Sequence, residues 1–277
     1  MVLDPIYHSL RTYAEQGGCR VRPVEVDAFV GEASTGCERA IPNGTDVVVV
    51  NFPHNPTGQV LSAEDVDRLV HRCSAVGATL VWDGAMEELP MTGDARASTP
   101  TCREGVIRFG TLSKAFGLPG LRVGWCIAPP ALLEAAFAER DRTTLFLSPL
   151  IELIAALSIE NADVLIAPRL AHARSNLGRL DAWIGEHGDA VAWQRPKGGV
   201  CGLMEVRGSR DTELFCRRVL AATGVLLVPG KAFDRPGAVR IGYGGPPTEM
   251  GDGLERLSHF LRTDGRSETT VGRCALP

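Results

Sequence analysis

Lysine is nearly absent from this chain of 277 residues. Of its 29 basic side chains only Lys114, Lys197 and Lys231 are lysines, and the rest are arginines. Chemistry that needs a side-chain amine therefore has three candidates. No charge sign dominates: 29 basic and 33 acidic residues leave a net charge of −4, too little for a basic field that would hold nucleic acid or an anionic membrane face. Long apolar runs are also missing. A stretch such as Leu145–Ile154 stops far short of the roughly 20 residues of a spanning helix. The opening MVLDPIYHSL shows no basic segment followed by an apolar one, so no signal peptide is read and a cytoplasmic location is expected. The eight cysteines form no Cys-x-x-Cys and stand beside no histidine at ligand spacing, which leaves metal and redox motifs without support. Reduced, mostly buried thiols are expected, with Cys126 in the core. What remains is ordinary globular material: 44% apolar, 22% charged and 6% aromatic, enough to bury a sizeable core.

Strand-like and helix-like patterns alternate through the first part of the chain. Residues 7–16 read as a helix and 20–26 as a strand. Val47–Asn51 reads as a strand covered on both faces. Ser62-Ala-Glu-Asp65 has the form of a capping box opening a helix to about Ala75. Strands follow at 79–83, 106–110 and 123–128. This order predicts an α/β fold with a mostly parallel sheet. Beyond Pro129 helices are expected at 131–139, 148–160 and 163–187, then strands at 190–194 and 201–206, a helix at 211–222, strands at 225–228 and 238–243, and a helix at 248–261. Residues 1–168 are read as a large lobe and 169–263 as a smaller α+β lobe. Residues 264–277 are polar and aperiodic, a tail expected to be disordered.

Lys114 stands out among the lysines. It lies in Thr111-Leu-Ser-Lys-Ala-Phe-Gly-Leu-Pro-Gly-Leu-Arg-Val-Gly124, a glycine-rich turn after an apolar strand, whereas Lys197 and Lys231 suit solvated loops. Four further stretches accompany it: Asn51-Phe-Pro-His-Asn-Pro-Thr-Gly58, Val81-Trp-Asp83, Val228-Pro-Gly230 with Phe233, and Arg240-Ile-Gly-Tyr243. Singly, each has a plainer reading: a turn asparagine, a helix-capping acid, a salt-bridge arginine. Together and in this order, from about residue 4 to 262, they resemble the class I/II aminotransferases, the fold type I pyridoxal-phosphate enzymes.

The resemblance implies a fold type I transferase with pyridoxal 5'-phosphate as cofactor. By it, Lys114 is the Schiff-base lysine that also moves the substrate proton. Asp83 keeps the pyridine nitrogen protonated. Asn55 donates to the phenolic oxygen and meets the substrate. Thr111, Ser113 and Arg122 hold the phosphate, with Arg122 eight residues after Lys114 as in the family. Tyr7 stacks on the ring and Arg240 clamps the substrate carboxylate. Two departures stand out. Met86 occupies the place of a family tyrosine that also bonds the phenolic oxygen. The match also begins well inside the family pattern, so the glycine/serine/threonine-rich helix start that cradles the phosphate has no counterpart here, and a weaker phosphate grip is expected. The family implies a homodimer, in which Arg142 of a neighbour is a candidate phosphate donor.

The expected activity is transfer of an amino group between an L-amino acid, guanidino-bearing in this reading, and a 2-oxo acid. Within the family the resemblance leans to the branch serving arginine-derived amino acids in actinobacterial peptide antibiotics, of the enduracididine and capreomycidine kind. Two alternatives remain open: elimination, cyclisation or oxidation of an arginine-like amino acid on the same cofactor, or a non-catalytic cofactor-binding module. No nucleic-acid or membrane partner is expected.

Overall fold

The structure, a computed structural model, describes residues 1–30, 35–92, 98–209 and 211–263. The chain opens with β1 (Val2–Asp4), α1 (His8–Gln16) and β2 (Pro23–Glu25). The strand expected over 20–26 is thus only three residues long and yields to a 3₁₀ turn at Val26–Phe29. Pro23 has no N–H to give a ladder, which suits it to the sheet edge where β2 lies. The short helix α2 (Thr35–Ala40) leads to β3 (Val47–Asn51).

The helix α3 (Ala63–Val76) starts where its sequence says. Ser62 Oγ accepts from the Asp65 N–H and Asp65 Oδ2 accepts from the Ser62 N–H, each at 3.1 Å, a reciprocal cap worth about 1 kcal/mol. Its Val66, Leu69, Val70 and Cys73 form a buried stripe at helical spacing. Next come β4 (Thr79–Asp83), β5 (Val106–Thr111) and β6 (Gly124–Ile127). The helices α4 (Pro130–Thr143), α5 (Pro149–Glu160) and α6 (Ala162–Glu186) follow, and Pro168, where the sequence was divided, lies inside α6. The chain ends through β7 (Val191–Trp193), β8 (Cys201–Val206), α7 (Thr212–Thr223), β9 (Val228–Pro229), β10 (Ala238–Gly242) and α8 (Pro247–Thr263). The expected tail at 264–277 lies outside the described residues.

Among the described residues two sheets form. The first has the order β2-β1-β3-β4-β5-β6, parallel except for β6, which runs antiparallel to β5. The second, β7-β8-β10-β9, is antiparallel. This is an α/β arrangement, a larger lobe on the mostly parallel sheet and a smaller α+β lobe, as the resemblance implies. One core packs α3 against the parallel sheet around Leu69, Leu80 and Trp82. The other begins in the Lys114 turn, with Leu112, Ala115 and Phe116, and continues through Leu177 and Leu180 of α6 to Val239 and Tyr243. That turn is therefore seated on the core of the second lobe. Asn176, fully buried on α6, donates through Nδ2 to the carbonyls of Tyr243 and Gly245 at 3.1 and 2.9 Å and fixes the chain after β10. Cys126, expected in the core, is only half-buried because β6 is the last strand of its sheet and has a neighbour on one side only.

Candidate active site

The parallel strands bring their carboxyl ends to one place. Asn51 ends β3 in register with Asp83 at the end of β4, and Thr111 ends β5 just before the Lys114 turn. Open α/β sheets take ligands at this edge. A cavity of about 580 Å³ lies there, lined by Tyr7, Asn55, Asp83 and Lys114 from the first lobe and by Cys201 and Arg240 from the second. Five sequence-chosen residues thus meet on one surface. Thr111, Ser113 and Arg122 do not line it. Thr111 Oγ1 donates to Ser113 Oγ at 2.9 Å, and Arg122, at φ 56°, turns its guanidinium onto the Pro119 carbonyl at 3.0 Å.

Asp83 accepts from the Ala85 N–H at 2.9 Å and has no cationic partner among the described residues. Burial pushes its carboxyl above the usual range, and the Ala85 N–H only partly opposes this. Arg240 lies over the Phe233 ring, 5.1 Å from its centre, and Nη1 donates to Asn55 Oδ1 at 3.1 Å. The turn carrying Asn55 is tightly built. Gly58 has φ +70°, and its carbonyl accepts the N–H groups of Lys197 and Gly198 at 2.8 and 2.9 Å. The Pro-Lys-Gly-Gly turn thus braces the Asn55 turn, a link that the sequence does not announce. Lys197 and Lys231 stay at the surface, where Lys231 Nζ lies 3.7 Å from Glu213 Oε2. Tyr7 is 41% exposed at the start of α1. Met86, 7% exposed, lies against Gly199, where an added Cβ would come within 3.0 Å of its Sδ and Cε.

Sequence reasoning missed Cys201. In Val200-Cys201-Gly202-Leu203-Met204 it looks like any small residue of an apolar strand, yet it is 7% exposed and lines the cavity. Asn51, read in the sequence as the end of a strand and the start of a turn, also lines the cavity. Its Oδ1 is buried without a hydrogen-bond partner among the described residues.

The family model for aminotransferase class I and II matches residues 1–257. The chain belongs to this family. Capreomycidine synthase of Streptomyces vinaceus is 39% identical over 96% of the chain and 69% of that protein. A crystal structure of the PLP-dependent cyclase OrfR superposes with TM-score 0.89 at 44% identity, over 94% of this chain and 71% of that one. The arginine–pyruvate transaminase of Pseudomonas aeruginosa is 29% identical over 87% of the chain and 63% of its own length.

As a class I and II aminotransferase the chain takes pyridoxal 5'-phosphate, and the cavity fits that group at three points. A buried carboxylate lacking a cation suits a protonated ring nitrogen. An amine in the same cavity suits an aldehyde. An asparagine whose oxygen is already engaged offers its N–H groups to an anionic oxygen. Thr111, Ser113 and Arg122, the residues expected at the phosphate, lie outside the lining of this cavity. No helix among the described residues is long and apolar enough to cross a membrane.

Proposed function

We propose that this enzyme acts on an arginine-derived L-amino acid and closes its guanidino side chain into a ring, rather than passing its amino group to a 2-oxo acid. The observation that carries the reading is the identity of 39% and 44% to two enzymes named as a capreomycidine synthase and a cyclase, against 29% to an arginine transaminase. The cavity is compatible with this reading, since Lys114, Asp83 and Arg240 suit either reaction.

The bound cofactor supplies an electron sink conjugated to the substrate Cα. Lys114 anchors it, and its amine then takes and returns the Cα proton. Asp83 holds the ring nitrogen protonated. Asn55 would hold the phenolic oxygen, Tyr7 the ring face, and Thr111, Ser113 and Arg122 the phosphate. Arg240 takes the α-carboxylate as a fork. Ring closure through Cβ requires a group there that leaves with its electron pair, such as a hydroxyl departing as water. A guanidino nitrogen then bonds to Cβ and gives up one proton, which balances the proton that leaves with the hydroxyl as water, while Lys114 returns the Cα proton.

The same reading makes the enzyme a homodimer. Phe137, Phe146, Leu150 and Leu153 are more than half exposed on and between α4 and α5, apolar surface of the kind that subunits bury. Arg142, the candidate donor to a neighbour, is ion-paired within its own helix to Glu139 at 3.0 Å.

The transamination reading rests on the family and on the arginine–pyruvate transaminase. One experiment separates the two. The cofactor-loaded enzyme receives 3-hydroxyarginine with an isotope label on its α-nitrogen, together with pyruvate. Cyclisation yields a labelled product lighter by one water. Labelled alanine as the main product would reject the cyclase reading.

A further inference from the structure

Asn55 Oδ1 has two donors, not one. Arg240 Nη1 reaches it at 3.1 Å and Cys201 Sγ at 3.6 Å. Arginine carries no acceptor, so the amide oxygen must face Arg240, and Nδ2 has no partner among the described residues. The two donors stand on adjacent strands of the second sheet, Cys201 opening β8 and Arg240 within β10. They differ in what else they can do. Arg240 is exposed to the cavity and can turn to a carboxylate, a stronger partner than a neutral amide oxygen. Cys201 is buried, and its thiol has no other use among the described residues.

We infer that Cys201 is a positioning residue that keeps the Asn55 amide oriented when a bound carboxylate draws Arg240 away. This rests on the reading that Arg240 takes the carboxylate and Asn55 faces the phenolic oxygen of the cofactor. Without ligand the two donors are redundant. With ligand, Cys201 alone holds Oδ1, and Nδ2 stays directed at the cofactor oxygen at the moment when chemistry begins. A thiol suits the place for a second reason. Burial pushes its pKa up to about 11 against the pull of Arg240 and Lys114, so at neutral pH it remains an S–H donor and a poor nucleophile beside a reactive aldehyde.

The test uses the cofactor-loaded enzyme and the pH midpoint of its visible cofactor band. The phenolic oxygen carries its negative charge in the high-pH form, so losing a donor raises the midpoint. The ligand probe is 4-guanidinobutyrate, which has the carboxylate and guanidinium but no α-amine to react. Without it, Cys201→Ala should titrate like wild type. With it at saturation, Cys201→Ala should titrate about 0.5–1 pH unit higher, the size of one lost neutral hydrogen bond. Cys201→Ser, which restores a donor, should return to the wild-type midpoint. A wild-type midpoint for Cys201→Ala under saturation overturns the inference alone. Arg240→Ala binding the probe as tightly as wild type removes the carboxylate assignment, and the inference with it.

Discussion

Asp83 decides the charge balance of the cavity. Burial raises its carboxyl, so ionising Asp83 costs more than in water, and a protonated ring nitrogen opposite would offset that cost. Asp83→Asn removes that charge and keeps the shape. Turnover should fall about 10²- to 10⁴-fold, the range of such acid–base and electrostatic contributions. Stability at neutral pH should hold or rise, because a neutral amide costs less to bury than a carboxylate lacking a cation. Kinetics paired with urea denaturation check both parts, and near-wild-type turnover would leave Asp83 a purely structural role. At this scale much of the site was legible in the sequence. Lys114 stands out from its local pattern, whereas Asp83, Asn55 and Arg240 were legible only through the order of motifs that resembles the family. Cys201 was not legible, because its neighbours make it look like core. Nor was the posture of Arg122, whose guanidinium lies on the Pro119 carbonyl.

Elements of five or more residues with a strong period stand where the sequence puts them: β3, β4 and the capped helix α3 are examples. Short elements do not announce themselves. Three residues of β1, or two of β9 where a strand was expected at 225–228, are too few to show a period, and tertiary pairing makes them strands. The turn after β3 is where an element depends most on one residue. At Gly58 an added Cβ would meet Pro196 Cβ at 2.4 Å, and φ is +70° besides. Gly77, the C-cap of α3, shares the conformation at φ +73° but has nothing within 4 Å. Gly77→Ala should therefore show left-handed strain alone, about 1 kcal/mol. Gly58→Ala should lose about 1–3 kcal/mol more as strain spreads to the Asn55 turn. Urea midpoints of the two variants measure the difference, and equal losses would mean that the Pro196 turn yields freely.

On the scale of the whole molecule, the Lys114 turn shares a core with the second lobe, so catalytic geometry and global packing are coupled. His54 is the clearest global sensor of pH. It is fully buried, with Nδ1 2.7 Å from Thr57 Oγ1 and Nε2 2.9 Å from the Pro5 carbonyl, tying the segment after β1 to the turn after β3. Burial lowers its pKa to about 4. The Pro5 carbonyl and the Asp27 charge pull it upward, and Arg235 adds to the lowering. The unfolded chain protonates this imidazole near pH 6.5, while the folded chain resists until about 4. Above pH 6.5 both states are neutral and the full stability is present. Between 6.5 and 4 only the unfolded state gains the proton, so stability falls as pH falls, by about 3 kcal/mol over the window. Asp83, with its raised carboxyl, bends the curve the other way, so the His54 contribution must be isolated. Unfolding free energies of wild type and His54→Asn, measured from pH 7.5 to 4.5, provide the isolation. The variant starts lower, having lost a packed ring, and its curve should be flatter by most of that amount. Parallel curves would show that the buried imidazole takes up its proton in the fold as readily as in water.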